Sequence, residues 1–165
     1  MRNLFCRASA ALVVTLPLAL SAALAAPAPL AQKPGWAIKP TAYTFAQLSD
    51  RLDKAIADAK MNLVNSASAS QGAKAQGIVI AGNRVVGVFR NDFARRMLTA
   101  SIPAGIEAPV RFYLTEGADG RATLSYRTPS DVFAPYLTEG GAPLRDLARE
   151  LDAIFAAIAA QATAP

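Results

Sequence analysis

VRFYLTEGADGRATLSYR, residues 110–127, decides the architecture. Val110, Phe112 and Leu114 alternate with Arg111, Tyr113 and Thr115. Past the connection, Ala122, Leu124 and Tyr126 alternate with Arg121, Thr123, Ser125 and Arg127. A period of two sends successive side chains to opposite faces of a strand. Two such runs joined by a short Gly-containing segment predict a β-hairpin. Asp119-Gly120 suits its turn, because glycine tolerates positive φ and Asp bonds nearby backbone. Glu116 and Asp119 also raise the question of a carboxylate site. A calcium-like oxygen site needs about six ligands, and no run of alternating acids supplies them. The turn is therefore the reading adopted. One apolar face and one face carrying Arg and Tyr predict an antiparallel sheet covered on one side only.

Outward from the hairpin, the elements follow from local chemistry. NRVVGVFR (83–90) is a Val-rich strand, and Gly87 inside it marks a bulge or a close backbone approach. Asn91 is the expected N-cap of a helix NDFARRMLTA, with Phe93, Met97 and Leu98 as the candidates for its buried side. SIPAGIEAP then breaks the chain. Upstream, Trp36–Tyr43 reads as a first strand, and Pro40 either confines it to a sheet edge or shortens it. Thr44-Phe45-Ala46-Gln47 is a capping box. The helix behind it carries Phe45, Leu48, Leu52 and Ile56 on one stripe. Asp50, Arg51, Asp53 and Lys54 fall on the other side as solvated surface, with Asp50 and Lys54 at pairing distance. Met61–Val64 begins a second strand, and SASASQGAKAQG (66–77) reads as a loop, a helical turn, or both. Its serines have no neighbouring base to activate them. After Pro143, Leu144, Leu147, Leu151, Ile154, Phe155 and Ile158 repeat at three and four, as a long closing helix requires.

The N-terminus reads as an address. Arg2 and Arg7 make MRNLFCR a positive n-region, Ala8–Leu24 is apolar, and Ala23-Leu24-Ala25 fits signal peptidase. The expected organisation is a signal peptide over 1–25, a Pro/Ala-rich leader over 26–35 and one α+β domain over 36–165. The expected location is periplasmic or secreted, with no membrane association after cleavage. Cleavage removes Cys6, the sole cysteine, and the chain has no histidine. Zinc held by His or Cys is thereby excluded, as are thiol and Ser-His-Asp catalysis. Losing Arg2 and Arg7 lowers the net charge from +5 to +3, too mild and too scattered for a nucleic-acid partner.

VVGVFRNDFARRMLTASIPAGIEAPVRFYLTEGADGRATLSYRTPSDVFAPY (85–136) resembles the bacterial family called domain of unknown function 302. The matching positions are Asn91, Ala94, Leu98, Pro109, Glu116, Asp119, Gly120, Tyr126 and Pro129. The chain departs at Asp92, where the family usually carries Pro; both suit a first helical turn. The family's His/Ala-rich stretch corresponds to SASASQGAKAQG, so a role needing histidine there has no candidate. The resemblance implies a fold rather than an activity. That fold is α+β, one mostly antiparallel sheet of about five strands with helices on one face, in a TATA-binding-protein-like layout.

Helices on the Val110 side leave Arg111, Tyr113 and Arg127 pointing outward as the candidate ligand-binding residues. Guanidinium groups hold anions at two points, so the expected partner is a small anionic ligand. The same face can instead form a homodimer or stand solvated. No catalytic residue, metal ligand or cofactor is assigned. The enzyme reading leans to no, with a carboxylate-dependent hydrolase as the alternative. Its candidate acids Glu107, Glu116, Asp119 and Asp131 share no evident cleft.

Overall fold

A computed structural model describes residues 30–165. The signal segment and its cleavage position after Ala25 lie outside the described residues. Leu30–Lys33 has no regular structure, and a turn at Pro34-Gly35 leads into the first strand.

Five strands form one sheet: β1 (Trp36–Thr44), β2 (Asn62–Ala67), β3 (Asn83–Phe89), β4 (Val110–Glu116) and β5 (Arg121–Arg127). Their order is β1-β5-β4-β3-β2, and every neighbouring pair is antiparallel. Pro40 is tolerated because β1 is an edge strand, where a missing N–H breaks no ladder. Helix α1 (Phe45–Asp58) carries the chain from one edge of the sheet to the other. The short α2 (Ala69–Ala75) joins β2 to β3 and buries none of its residues. Helix α3 (Asn91–Ala100) and a 3-10 turn (Pro103–Glu107) join β3 to β4. After β5 come α4 (Pro129–Phe133), a second 3-10 turn (Ala134–Tyr136) and α5 (Leu137–Thr163). Gly141, at φ 57°, interrupts α5, so its long continuous part begins beside Pro143 as the sequence predicts. Among the described residues no helix is long and apolar enough to cross a membrane.

The core lies between one sheet face and α1, α3 and α5. Val86, Val88, Val110, Phe112, Leu114, Ala122, Leu124 and Tyr126 point into it from the strands. Leu48, Leu52 and Ile56 meet them from α1, and Leu144, Leu147, Leu151, Phe155 and Ile158 from α5. Phe155 stacks on Phe112 with ring centroids 4.5 Å apart, and Tyr126 meets Phe112 edge-on at 5.1 Å.

Three local expectations change. Phe93 and Met97 of α3 are buried, but Leu98 faces out and is 46% exposed. Arg90, not Asn91, occupies the N-cap of α3, and its side chain makes no capping bond. Instead its guanidinium grips Asp92 at 2.7 and 3.1 Å and lies 4.4 Å from the Phe93 ring centre. The charged side of α1 is also more than solvated surface. Asp53 pairs with Arg84 of β3 at both oxygens, 3.0 Å each. Lys54 reaches forward to Asp58 at 2.6 Å rather than back to Asp50. Arg51 donates to the carbonyls of Ala162 at 2.8 Å and Ala164 at 2.6 Å, which caps the end of α5.

Candidate functional site

The hairpin tip is a turn. Gly120 adopts φ +74°, its amide bonds Gly117 O at 3.0 Å, and Asp119 accepts from the Arg121 amide at 3.1 Å. Glu116 faces elsewhere and accepts from the Gly82 amide at 2.7 Å. The two carboxylates thus serve backbone amides at separate places.

Behind the tip, register builds the outward face of the sheet. Trp36 pairs with Arg127, Arg127 stands beside Arg111 by the β4–β5 register, and Arg111 pairs with Gly87, which pairs with Asn65. The next row runs Ile38, Ser125, Tyr113, Val85 and Ala67. Arg111, Tyr113 and Arg127 therefore do share one face, as their alternation predicts. They share it with a groove of about 560 Å3, which also takes in Trp36, Val85 and Glu107. Glu107 and Val132 extend it beyond the ends of β4 and β5. Its volume lies within the range of small-molecule sites.

The three candidates differ in what they can offer. Arg127 donates to Asp131 at 2.8 Å, so its charge is largely answered within the chain. The Asp131 carboxylate fits because Gly35 has no side chain: a Cβ there would come within 2.1 Å of it. Arg111 is exposed, and its side chain makes no hydrogen bond or ion pair with any described residue. Tyr113 is half-buried, and its backbone carbonyl accepts from the Ser125 hydroxyl at 3.3 Å. Ser125 is fully buried on this outward side, with Ile38 and Tyr113 as its cross-strand neighbours. The face is thus less solvated at its centre than a bare polar surface.

Gly87 gives the close approach that its place in the strand suggests. A Cβ there would lie 2.1 Å from Asn65 Oδ1 and 2.7 Å from Pro109 Cγ. Asn65 and the Pro109 ring fill the space beside Arg111 instead.

Four acids that could have served catalysis are held apart. Glu107 is the single acidic residue lining the groove, and it accepts from Tyr136 Oη at 2.9 Å. That bond, ahead of the small burial and the Glu107 charge, raises the tyrosine's pKa above its ordinary value. Asp131 is paired with Arg127, while Glu116 and Asp119 lie at the far end of the hairpin. No two of them flank one cleft.

The alternation of 110–127 locates Arg111, Tyr113 and Arg127, but not Trp36, Val85 or Glu107. Trp36 and Val85 belong to other strands, and only the register brings them opposite Arg127 and Tyr113. The signal that could have found them is the parity of each strand against the hairpin. Sequence alone leaves that parity open by one residue.

A one-sided α+β sheet whose bare face carries a groove defines the class of protein. The chain belongs to the family described as Domain of unknown function DUF302, whose model matches residues 38–160. Among solved structures it is similar to the uncharacterized conserved protein DUF302 from Bacillus stearothermophilus. The two are 12% identical over 76% of this chain and 96% of that one, with a TM-score of 0.66. At that identity the likeness concerns the fold. No curated protein matches the chain.

Proposed function

We propose that this chain is an exported, non-enzymatic binding domain whose ligand seat is the groove on the open face of the sheet. One observation carries the reading: the outward face holds a concavity of about 560 Å3 in which Trp36, Val85 and Tyr113 stand beside Arg111. A face built only to be solvated has no reason to hold a tryptophan and a valine in a hollow. Catalysis is disfavoured because the groove has a single carboxylate, already bonded to Tyr136, and the chain has no histidine.

A thermal-shift screen of small molecules tests the seat. Hits that raise the melting temperature of the native chain are expected to vanish in Val85→Phe, which fills the hollow from its floor. Hits that persist in the variant, or a screen without any hit, overturn the reading. Export is supported by the charged-apolar-small order of residues 2–25. Mass spectrometry of the periplasmic fraction is expected to find a chain starting at Ala26, and an intact Met1 terminus there refutes cleavage.

A second reading, homodimerisation, is favoured by one further observation. Ile78, Val79 and Ile80, in the segment between α2 and β3, are exposed by 53%, 89% and 43%. Three consecutive apolar residues in water are what an interface covers. Light scattering after size exclusion gives the answer directly.

A further inference from the structure

We infer that the groove selects a ligand with one carboxylate on an apolar body, and that Arg111 is the residue that clamps the carboxylate. The inference rests on the groove being a ligand seat. Its basis is the arithmetic of charge along the lining.

Two guanidinium groups line the groove, but only one is available. Arg127 gives its Nε and Nη2 to Asp131, each 2.8 Å from Oδ2. Arg111 has no partner among the described residues and lies on the adjacent strand, directly across the ladder from Arg127. Its fork can therefore hold one planar, two-oxygen anion. Lys33 lies outside the lining, with its ammonium 5.6 Å from the Trp36 ring centre.

The rest of the lining says what the anion must be attached to. Glu107 stands at the end beyond the strands and carries the only negative charge in the groove. A second anionic group on the ligand would meet that carboxylate or the apolar floor, where an unpaired charge is costly. Phosphate esters and dicarboxylates are disfavoured on this ground. The floor itself is apolar. Trp36 lies two strands from Arg111, about 10 Å away at the usual strand spacing. Tyr113 and Val85 lie one row along. A ring or an acyl chain reaching from Arg111 across this surface buries its apolar area and leaves the carboxylate at the guanidinium. Asn65, held beside Arg111 by the missing side chain of Gly87, places an amide within the same row.

The test uses Trp36, the only tryptophan in the chain, as its own reporter. The native chain is titrated with octanoate and phenylacetate, and separately with octan-1-ol, octylamine and inorganic phosphate, while tryptophan emission is followed. Saturable change is expected with one or both carboxylates and not with phosphate or octylamine. Arg111→Ala should weaken carboxylate binding by at least tenfold, with Arg111→Lys between it and the native chain. Both variants alter an exposed side chain, and equal urea midpoints show that they fold. Carboxylate binding unchanged in Arg111→Ala overturns the assignment. So does phosphate or octylamine binding as tightly as octanoate. If octan-1-ol matches octanoate, the groove stands as a seat and the carboxylate clamp falls. If no probe saturates, both fall. A response to octanoate alone identifies an acyl chain as the body, and one to phenylacetate alone a flat ring.

Discussion

At the residue scale, two glycines and one acid show how local chemistry serves the sheet. Gly87 is required by closeness, since a methyl group there meets the Asn65 amide and the rigid Pro109 ring. Gly87→Ala is expected to cost about 1–3 kcal/mol, because the proline cannot turn aside. Urea unfolding measures it. Gly120 is required by conformation, at φ +74° in the hairpin turn. Glu116 holds the Gly82 amide at the entry to β3. Glu116→Ala should lower stability by about 1–2 kcal/mol, the worth of a charge-assisted hydrogen bond, and leave octanoate binding unchanged. A loss of binding without a loss of stability would return the turn to candidacy as a site. Phe155 is fully buried and stacked on Phe112. Phe155→Ala is expected to cost about 3–5 kcal/mol through lost burial and a cavity.

At the element scale, the helices are fixed by their ends and by ion pairs between them. Thr44 accepts from the Gln47 amide at 3.3 Å while Gln47 accepts from the Thr44 amide at 3.0 Å, closing the capping box of α1. Thr44→Ala should cost about 1 kcal/mol by chemical unfolding. The far end of α5 is satisfied from α1 by Arg51, which also lies 4.3 Å from the Tyr43 ring centre. Between α3 and α5, Arg96 makes two bonds to Glu150, at 2.8 and 2.6 Å. The Arg96 hydrogen bond holds Glu150 below its ordinary 4.5. Lys54 and Gln161 likewise lower Asp58, and Arg90 lowers Asp92, from 3.8. A carboxylate with a lower pKa folded than unfolded adds stability that is present above the unfolded value. That stability is lost as pH falls through the folded one. The urea midpoint is therefore expected to stay level from neutrality to about pH 5 and to fall below about pH 4, with Glu150→Gln showing a shallower fall. A midpoint equally pH-dependent in the variant would show that the Arg96–Glu150 pair is not coupled to folding. These groups are exposed, so each contribution is small.

At the scale of the whole molecule, exposed apolar side chains occur before β3 and, as Leu98, Ile102 and Ile106, on α3 and the turn after it. The open groove lies on the bare face, and Ile78–Ile80 stand exposed between α2 and β3. If copies pair through that segment, Val79→Lys should keep stability within about 0.5 kcal/mol of native, as surface changes do, and yield a monomer by light scattering. A native chain already monomeric at high concentration refutes the pairing. Much of this molecule was legible in its sequence. The hairpin, the capping box, the α5 stripe and the one-sided sheet all follow from period, caps and turns, while Pro40 left open whether β1 is an edge strand or a short one. These are local properties, and local spacing carries them. The sharing of one face by Arg111, Tyr113 and Arg127 is likewise set by alternation alone. What the tertiary structure decided is which neighbours they meet. That Asp131 answers Arg127 and leaves Arg111 free depends on Gly35 making room across a strand junction. That Trp36 and Val85 join the same hollow depends on strand register, and register is set by packing between segments far apart in the chain. Sequence determined the face; only the pairing of distant strands made a groove on it.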